Sequence, residues 1–255
     1  MACTLLEITG TSDGPDTAEA WQRIAQVLAE EHSPDTPFEI NDVPRKLGKV
    51  GDYIAKARVV IFDVAGAGFE FRYSPAGPRD ASRIRVERKG GPDLDGQFWV
   101  SQLTESDWLL SAYVADLNYE YWQNADDPRL YGLAGKSLDG LALIPGRGPG
   151  PGQMVDVSRH PGRRVFRNGY IEAVGAVMWL GRQFAARTGA DLDALWSADW
   201  CTAEEYRPGT LCVRTQEGCF TSSEGREGEL QDRLRAALVP NPPEERPKWR
   251  QERQS

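Results

Sequence analysis

Two short runs constrain the fold more than anything else in the chain. Phe69-Glu70-Phe71-Arg72-Tyr73 and Arg83-Ile84-Arg85-Val86-Glu87-Arg88 alternate apolar and charged side chains with a period of two. A helix cannot exploit that pattern, because its faces repeat every ~3.6 residues; a strand sorts it onto two faces. Strands buried on both faces would read as continuous apolar runs, so these two predict an antiparallel meander with one dry face and one wet face. The stretch Arg58-Val59-Val60-Ile61-Phe62-Asp63-Val64 leads through Ala65-Gly66-Ala67-Gly68 into the first run and reads as the opening strand of a hairpin. Gln97-Phe98-Trp99-Val100-Ser101 follows a Gly-Pro-Asp break and is expected to extend the meander.

Helical spacing surrounds these strands. After a strand over Cys3 to Thr9, Trp21, Ile24, Ala25 and Leu28 fall at i, i+3, i+4 and i+7, with Asp16 or Thr17 as cap. Leu110, Tyr113, Val114 and Leu117 predict a second helix starting at Thr104, and Ile171, Val174, Met178, Leu180 and Phe184 a third over Tyr170 to Arg187. Asp191 caps a short helix through Trp196, and Glu227 to Leu238 forms the last. Val43 to Ala57 is mixed, because helical spacing there is interrupted by Gly48 and Gly51. Short strands are expected over 138–144, 154–158 and 164–167, at Trp200-Cys201 and over 210–214. Strand runs between helices, without a βαβ cadence, indicate an α+β fold in which helices pack an antiparallel sheet. One domain over residues 1–239 is expected, with an internal connector at 146–152. The Pro-rich, charged residues 240–255 are expected to be disordered.

A formal net charge of -8 opposes nucleic-acid binding, which depends on basic side chains displacing phosphate counterions. No run approaches the ~20 apolar residues needed to span a bilayer, and the first residues lack the basic and apolar regions of an export signal. These features predict a cytoplasmic protein whose four cysteines, Cys3, Cys201, Cys212 and Cys219, are reduced thiols. Their spacing matches no compact zinc module, and no cofactor or metal is expected. The loop from Pro145 to Gly152 is not a phosphate cradle, because Pro149 and Pro151 have no N–H to donate. Asp191, Asp193, Asp199, Glu204 and Glu205 read as caps and surface charge.

Two groups of side chains stand out. Asn118-Tyr119-Glu120-Tyr121-Trp122 concentrates aromatics beside Asp126 and Asp127, so Tyr119, Tyr121, Trp122, Asp126 and Asp127 form a candidate partner-binding patch. Of two histidines, His32 sits at a helix end, whereas His160 lies among Arg159, Arg163, Arg164 and Arg167. Forked guanidiniums suit phosphate or carboxylate recognition. Alternate arginines on a strand point to opposite faces, however, so an anion site requires that these side chains converge.

The segments Pro161-Gly162-Arg163-Arg164-Val165-Phe166, Gly169-Tyr170-Ile171-Glu172-Ala173-Val174 and Met178-Trp179-Leu180-Gly181 resemble a stretch found in uncharacterised bacterial proteins of similar length. That resemblance implies a soluble, cytoplasmic α+β protein and carries no catalytic residue. In size, acidity, aromatic content and lack of a catalytic signature the chain is also similar to immunity proteins of bacterial toxin systems. A protein-binding module that docks a protein partner, such as a cognate toxin, is the first expectation. The alternative is an enzyme acting on an anionic or phosphorylated small molecule through His160 and the neighbouring arginines. Oligomeric state is not legible in these residues.

Overall fold

The computed structural model describes residues 4–77, 80–90, 92–146 and 152–241. The first part of the chain runs β1 (Leu5–Gly10), α1 (Thr17–Leu28), β2 (Pro37–Ile40), β3 (Val43–Lys46), α2 (Leu47–Ala57), β4 (Phe62–Gly66), β5 (Phe69–Ser74), β6 (Ser82–Arg88) and α3 (Gly96–Leu103). The second runs β7 (Leu109–Ala115), α4 (Leu117–Asn124), α5 (Pro128–Leu133), β8 (Leu143–Pro145), β9 (Gln153–Val155), β10 (Val165–Phe166), β11 (Ile171–Glu172), β12 (Val177–Gly181), α6 (Phe184–Thr188), α7 (Leu192–Trp196), β13 (Thr202–Arg207), β14 (Thr210–Arg214) and α8 (Gly225–Leu238). A ten-stranded sheet in the order β13-β14-β12-β7-β1-β6-β5-β4-β2-β3 joins both parts, with β1 and β7 side by side at its centre. All its pairings are antiparallel, which makes the fold α+β as its alternating strands imply.

The two faces of the sheet are covered by different helices. Leu6 and Ile8 of β1, with Phe71, Ile84 and Val86, pack against Trp21 and Ile24 of α1, Val50 and Ile54 of α2, and Trp99 and Leu103 of α3. α1 starts where expected: the Asp16 carboxylate accepts the Glu19 N–H at 2.9 Å. On the opposite face, Leu5, Tyr113, Met178 and Leu180 meet Phe184 of α6, Leu195 of α7, and Leu234 and Leu238 of α8. The charged side chains of β1 and β6 point to this second face, and they are not wet. Glu7 is fully buried and Arg85 and Glu87 nearly so, because α4 and the loop before β10 lie over them.

Several expected elements come out differently, among them Trp200-Cys201, which is a bend preceding β13 and not a strand. Leu109–Ala115 is the central strand β7, not a helix: it is buried on both faces, so its continuous apolar run fits a helical template by coincidence. Thr104 terminates α3 instead of starting a helix, its hydroxyl bonding back to the Val100 carbonyl at 2.7 Å. The predicted helix over Tyr170 to Arg187 divides into β11, β12 and the short α6. Gly181 permits β12 to lie against β7, since a Cβ there would overlap the Leu109 carbonyl. Gln97 to Ser101 is helical, capped by Asp95 accepting the Phe98 N–H at 2.9 Å, with Trp99, Val100 and Leu103 inward. Most of the expected connector and tail falls at residues 147–151 and 242–255, outside the described residues.

Candidate functional site

α4 and α5 carry the aromatic patch. Asp116 caps α4 by accepting the Tyr119 N–H at 2.7 Å, and Asp127 caps α5, where Pro128 supplies a first-turn residue with no N–H to lose. Asp127 also grips the Arg129 guanidinium at 2.6 Å, and that bond holds its carboxyl below the ordinary range. Asp126 is half-buried, and its carbonyl accepts the Val155 N–H at 2.8 Å, fastening α5 to β9. These aspartates therefore shape the local backbone as well as contributing charge.

The aromatic side chains divide between inside and outside. Tyr119 is half-buried and donates to the Gln231 side chain of α8 at 3.0 Å, and burial raises its phenol to about 12. Tyr121 is 46% exposed and meets Trp122 edge-on, with ring centroids 5.0 Å apart. Trp122 in turn lies 4.8 Å from the buried Tyr131 ring, donates to Asn118 at 3.1 Å, and has the Lys136 ammonium 4.9 Å from its centroid. Trp122, Tyr131, Lys136, Asp139 and His160 all line one surface cleft of about 330 Å³. Leu133, the last residue of α5, is 86% exposed.

His160 reaches this cleft, but the arginines on either side of it go elsewhere. Its Nδ1 lies 3.1 Å from the Gln123 carbonyl, which can only accept, so Nδ1 is the donor in this contact. Arg159 is exposed at the end of a 3₁₀ turn. Arg163 donates to the His160 carbonyl and stands 3.7 Å from Glu172. Arg164 turns inward to Glu120 at 2.9 Å and Glu7 at 3.2 Å, whereas Arg167 binds Glu172 at 2.7 Å. None of these arginines lines the cleft that holds His160.

Three buried carboxylates, Glu7, Glu120 and Glu172, organise the arginines, and no local pattern in the sequence marks them as counter-ions. Glu7 pairs with Arg83, with Arg85 at 3.2 Å and with Arg164 at 3.2 Å. Burial pushes its carboxyl up, but Arg83, Arg164 and Arg85 together outweigh that cost and hold it below the ordinary value. Glu120 shows the reverse balance: burial raises it more than Arg164 and Arg85 lower it. Glu172 is claimed by Arg167, by Arg235 of α8 at 2.5 Å and by Arg163, and the arginines again outweigh burial. Arg235 also donates to the carbonyls of Pro161 and Arg163. These bonds tie α4 and the 161–167 segment to the ten-stranded sheet, and α8 to that segment and to β11. Glu7 was hidden because a lone acid in a strand looks solvent-facing, and Arg235 because it sits among the polar residues of an ordinary helix.

The cysteines follow two patterns. Cys201 and Cys212 are free thiols, and burial raises Cys212 to about 11, so it is no thiolate nucleophile at neutral pH. Cys219 is disulfide-bonded, contrary to the expectation that all four are reduced. Among the described residues no group of three His, Cys, Asp or Glu side chains is placed to hold a metal ion. No helix among the described residues is long and apolar enough to cross a membrane.

The chain matches no protein-family model and no curated protein. In structure it is similar to the Pseudomonas aeruginosa T6SS protein PA0821, with a TM-score of 0.51 and 12% identity over 92% of this chain and 73% of that one. At that identity the likeness is one of fold.

Proposed function

We propose that this is a protein-binding module of a bacterial toxin system, an immunity protein that neutralises a cognate toxin. The observation carrying this reading is the aromatic surface of α4 and α5. There an exposed Tyr121 packs on Trp122 at the rim of a cleft, and the Arg164–Glu120 pair ties α4 to the layer beneath. Aromatic side chains on a rigid support with a polar rim are the usual anchors of protein interfaces. Tyr121, Trp122, Asp126 and Asp127 form the contact surface in this reading, with Tyr119 fixing α4 to α8. A net charge of -8 favours encounter with a basic partner. The fold shared with a T6SS protein is consistent with such a setting. The binding unit is the domain over residues 1–239.

This reading places the protein in the cytoplasm. The Cys219 disulfide pulls the other way, because disulfides persist in oxidising compartments; cell fractionation decides between them. The test of function is affinity capture from the native host with wild type and with the Tyr121→Ala/Asp126→Lys variant. A stoichiometric partner retained by wild type, lost by the variant and toxic when expressed alone supports the reading. Recovery of the same partner by both proteins overturns the assigned surface, and recovery of none overturns the function.

A further inference from the structure

The ten-stranded sheet ends on two unlike edges. β3 is four residues long, contains Pro44, carries Arg45 and Lys46, and runs straight into α2. Short, basic, proline-bearing edges resist the addition of another strand. β13 is six residues long, has neither proline nor lysine, and is hydrogen-bonded within the sheet to β14 alone. In an antiparallel pair alternate residues turn their N–H and C=O away from the partner, so β13 presents a row of donors and acceptors outward. A register shift between Glu205 and Arg207 leaves Thr202 to Glu205 as the regular part of that edge.

The side chains around this edge share one chemistry. Glu204 and Glu205 are exposed and, as successive strand residues, stand on opposite faces of the sheet. On the Glu205 side, an apolar cleft of about 260 Å³ opens between α7 and the sheet, with Leu180 and Leu211 lining it. Trp196 at this cleft is 52% exposed. Asp193 on α7 and Asp199 after it are exposed as well. None of Asp193, Asp199, Glu204 and Glu205 has an ion-pair partner among the described residues. The cation lining the cleft is Arg182, which lies against Gly209.

We propose that β13 takes up an extended, basic segment of a protein partner as an additional strand. Lysine or arginine side chains of that segment meet Glu204 on one face and Glu205 on the other, while an apolar side chain enters the Trp196 cleft. Charge selects against a second copy of this chain, because antiparallel self-pairing of β13 sets glutamates of the two copies against each other. The surface is separate from the aromatic one on α4 and α5, so either assignment can fail without the other.

The experiment uses the full chain and a blocked, fluorescently labelled peptide that alternates lysine with valine or leucine, followed by anisotropy and by hydrogen exchange. Peptide binding is expected to protect the amides of residues 202–207. The Glu204→Lys/Glu205→Lys variant is expected to weaken binding about tenfold or more. Trp196→Ala weakens it about threefold to tenfold, as expected for an anchor that contributes part of the contact, and Tyr121→Ala leaves it unchanged. All substituted side chains are exposed, so circular dichroism should show the fold retained. Equal binding of a peptide with glutamate in place of lysine, protection confined to other segments, or undiminished binding by the charge-reversed variant overturns the proposal. So does dimerisation of the unliganded protein that the charge reversal alters, since that outcome makes a second copy the occupant.

Discussion

Leu6 and Ile8 on one side of β1 and Glu7 on the other are adjacent in the chain and equally buried, at 0% exposure. They face opposite solutions to the same problem. Leu6 and Ile8 are stabilised by contact with apolar groups, an attraction that is non-directional and indifferent to which aliphatic neighbour provides it. Glu7 is tolerable only because three guanidiniums are brought to it, one of them on Arg164, 157 residues away. Burial against α1, α2 and α3 follows from composition, whereas burial against α4 and the 161–167 loop depends on specific pairing. The difference locates where the second part of the chain is held in register on the first.

The largest expected effect is from Glu7→Ala, which leaves Arg83, Arg85 and Arg164 without their shared carboxylate and should destabilise the fold by about 3–5 kcal/mol in urea unfolding. A loss no greater than that of an exposed substitution would show that water reaches this layer and would erase the contrast between the faces. Acid reads the same layer. Because the folded-state pKa values of Glu7 and Glu172 are depressed, their contribution is fully present above the unfolded value of 4.5 and is lost as pH falls through the folded values. Stability of wild type should therefore fall below about pH 4.5, and the fall should be shallower in Glu7→Ala.

A double-mutant cycle sharpens the comparison. Removing Glu7 and Arg164 together should cost less than the sum of the single losses, with a coupling of about 0.5–3 kcal/mol. Additive losses would mean that the two groups do not sense each other. On the apolar side, Ile8→Val should cost about 0.5–1.5 kcal/mol and leave the acid dependence unchanged, since it removes one methylene and no charge. Smallest is Tyr121→Ala, at 46% exposure, which should change thermal stability by no more than about 0.5 kcal/mol while abolishing partner capture. A large loss of stability would recast Tyr121 as a packing residue.

The hairpin of β4 and β5, the alternation of β6, the caps at Asp16 and Asp191 and the closing helix were legible because each depends on neighbours within a few residues. The candidate site was legible in part. Tyr119, Tyr121 and Trp122 announce themselves by composition, whereas Tyr131 and Lys136, which complete the cleft, carry no signal beyond ordinary helix and loop residues. β7 and β12 were misread as helices, since a run buried on both faces has no periodicity to distinguish the two.

What the sequence determined by itself is the α+β class, an antiparallel sheet and the apolar side of its core, all consequences of local propensity and of hydrophobic pattern. Tertiary structure alone decided that the charged side of the meander is dry, that Arg163, Arg164 and Arg167 serve Glu7, Glu120 and Glu172, and that His160 faces a cleft without them. The reason is physical: an apolar side chain carries its preference for burial wherever it goes, but a charge is stable inside only beside its counter-ion. Where that counter-ion comes from a distant part of the chain, no local pattern records it.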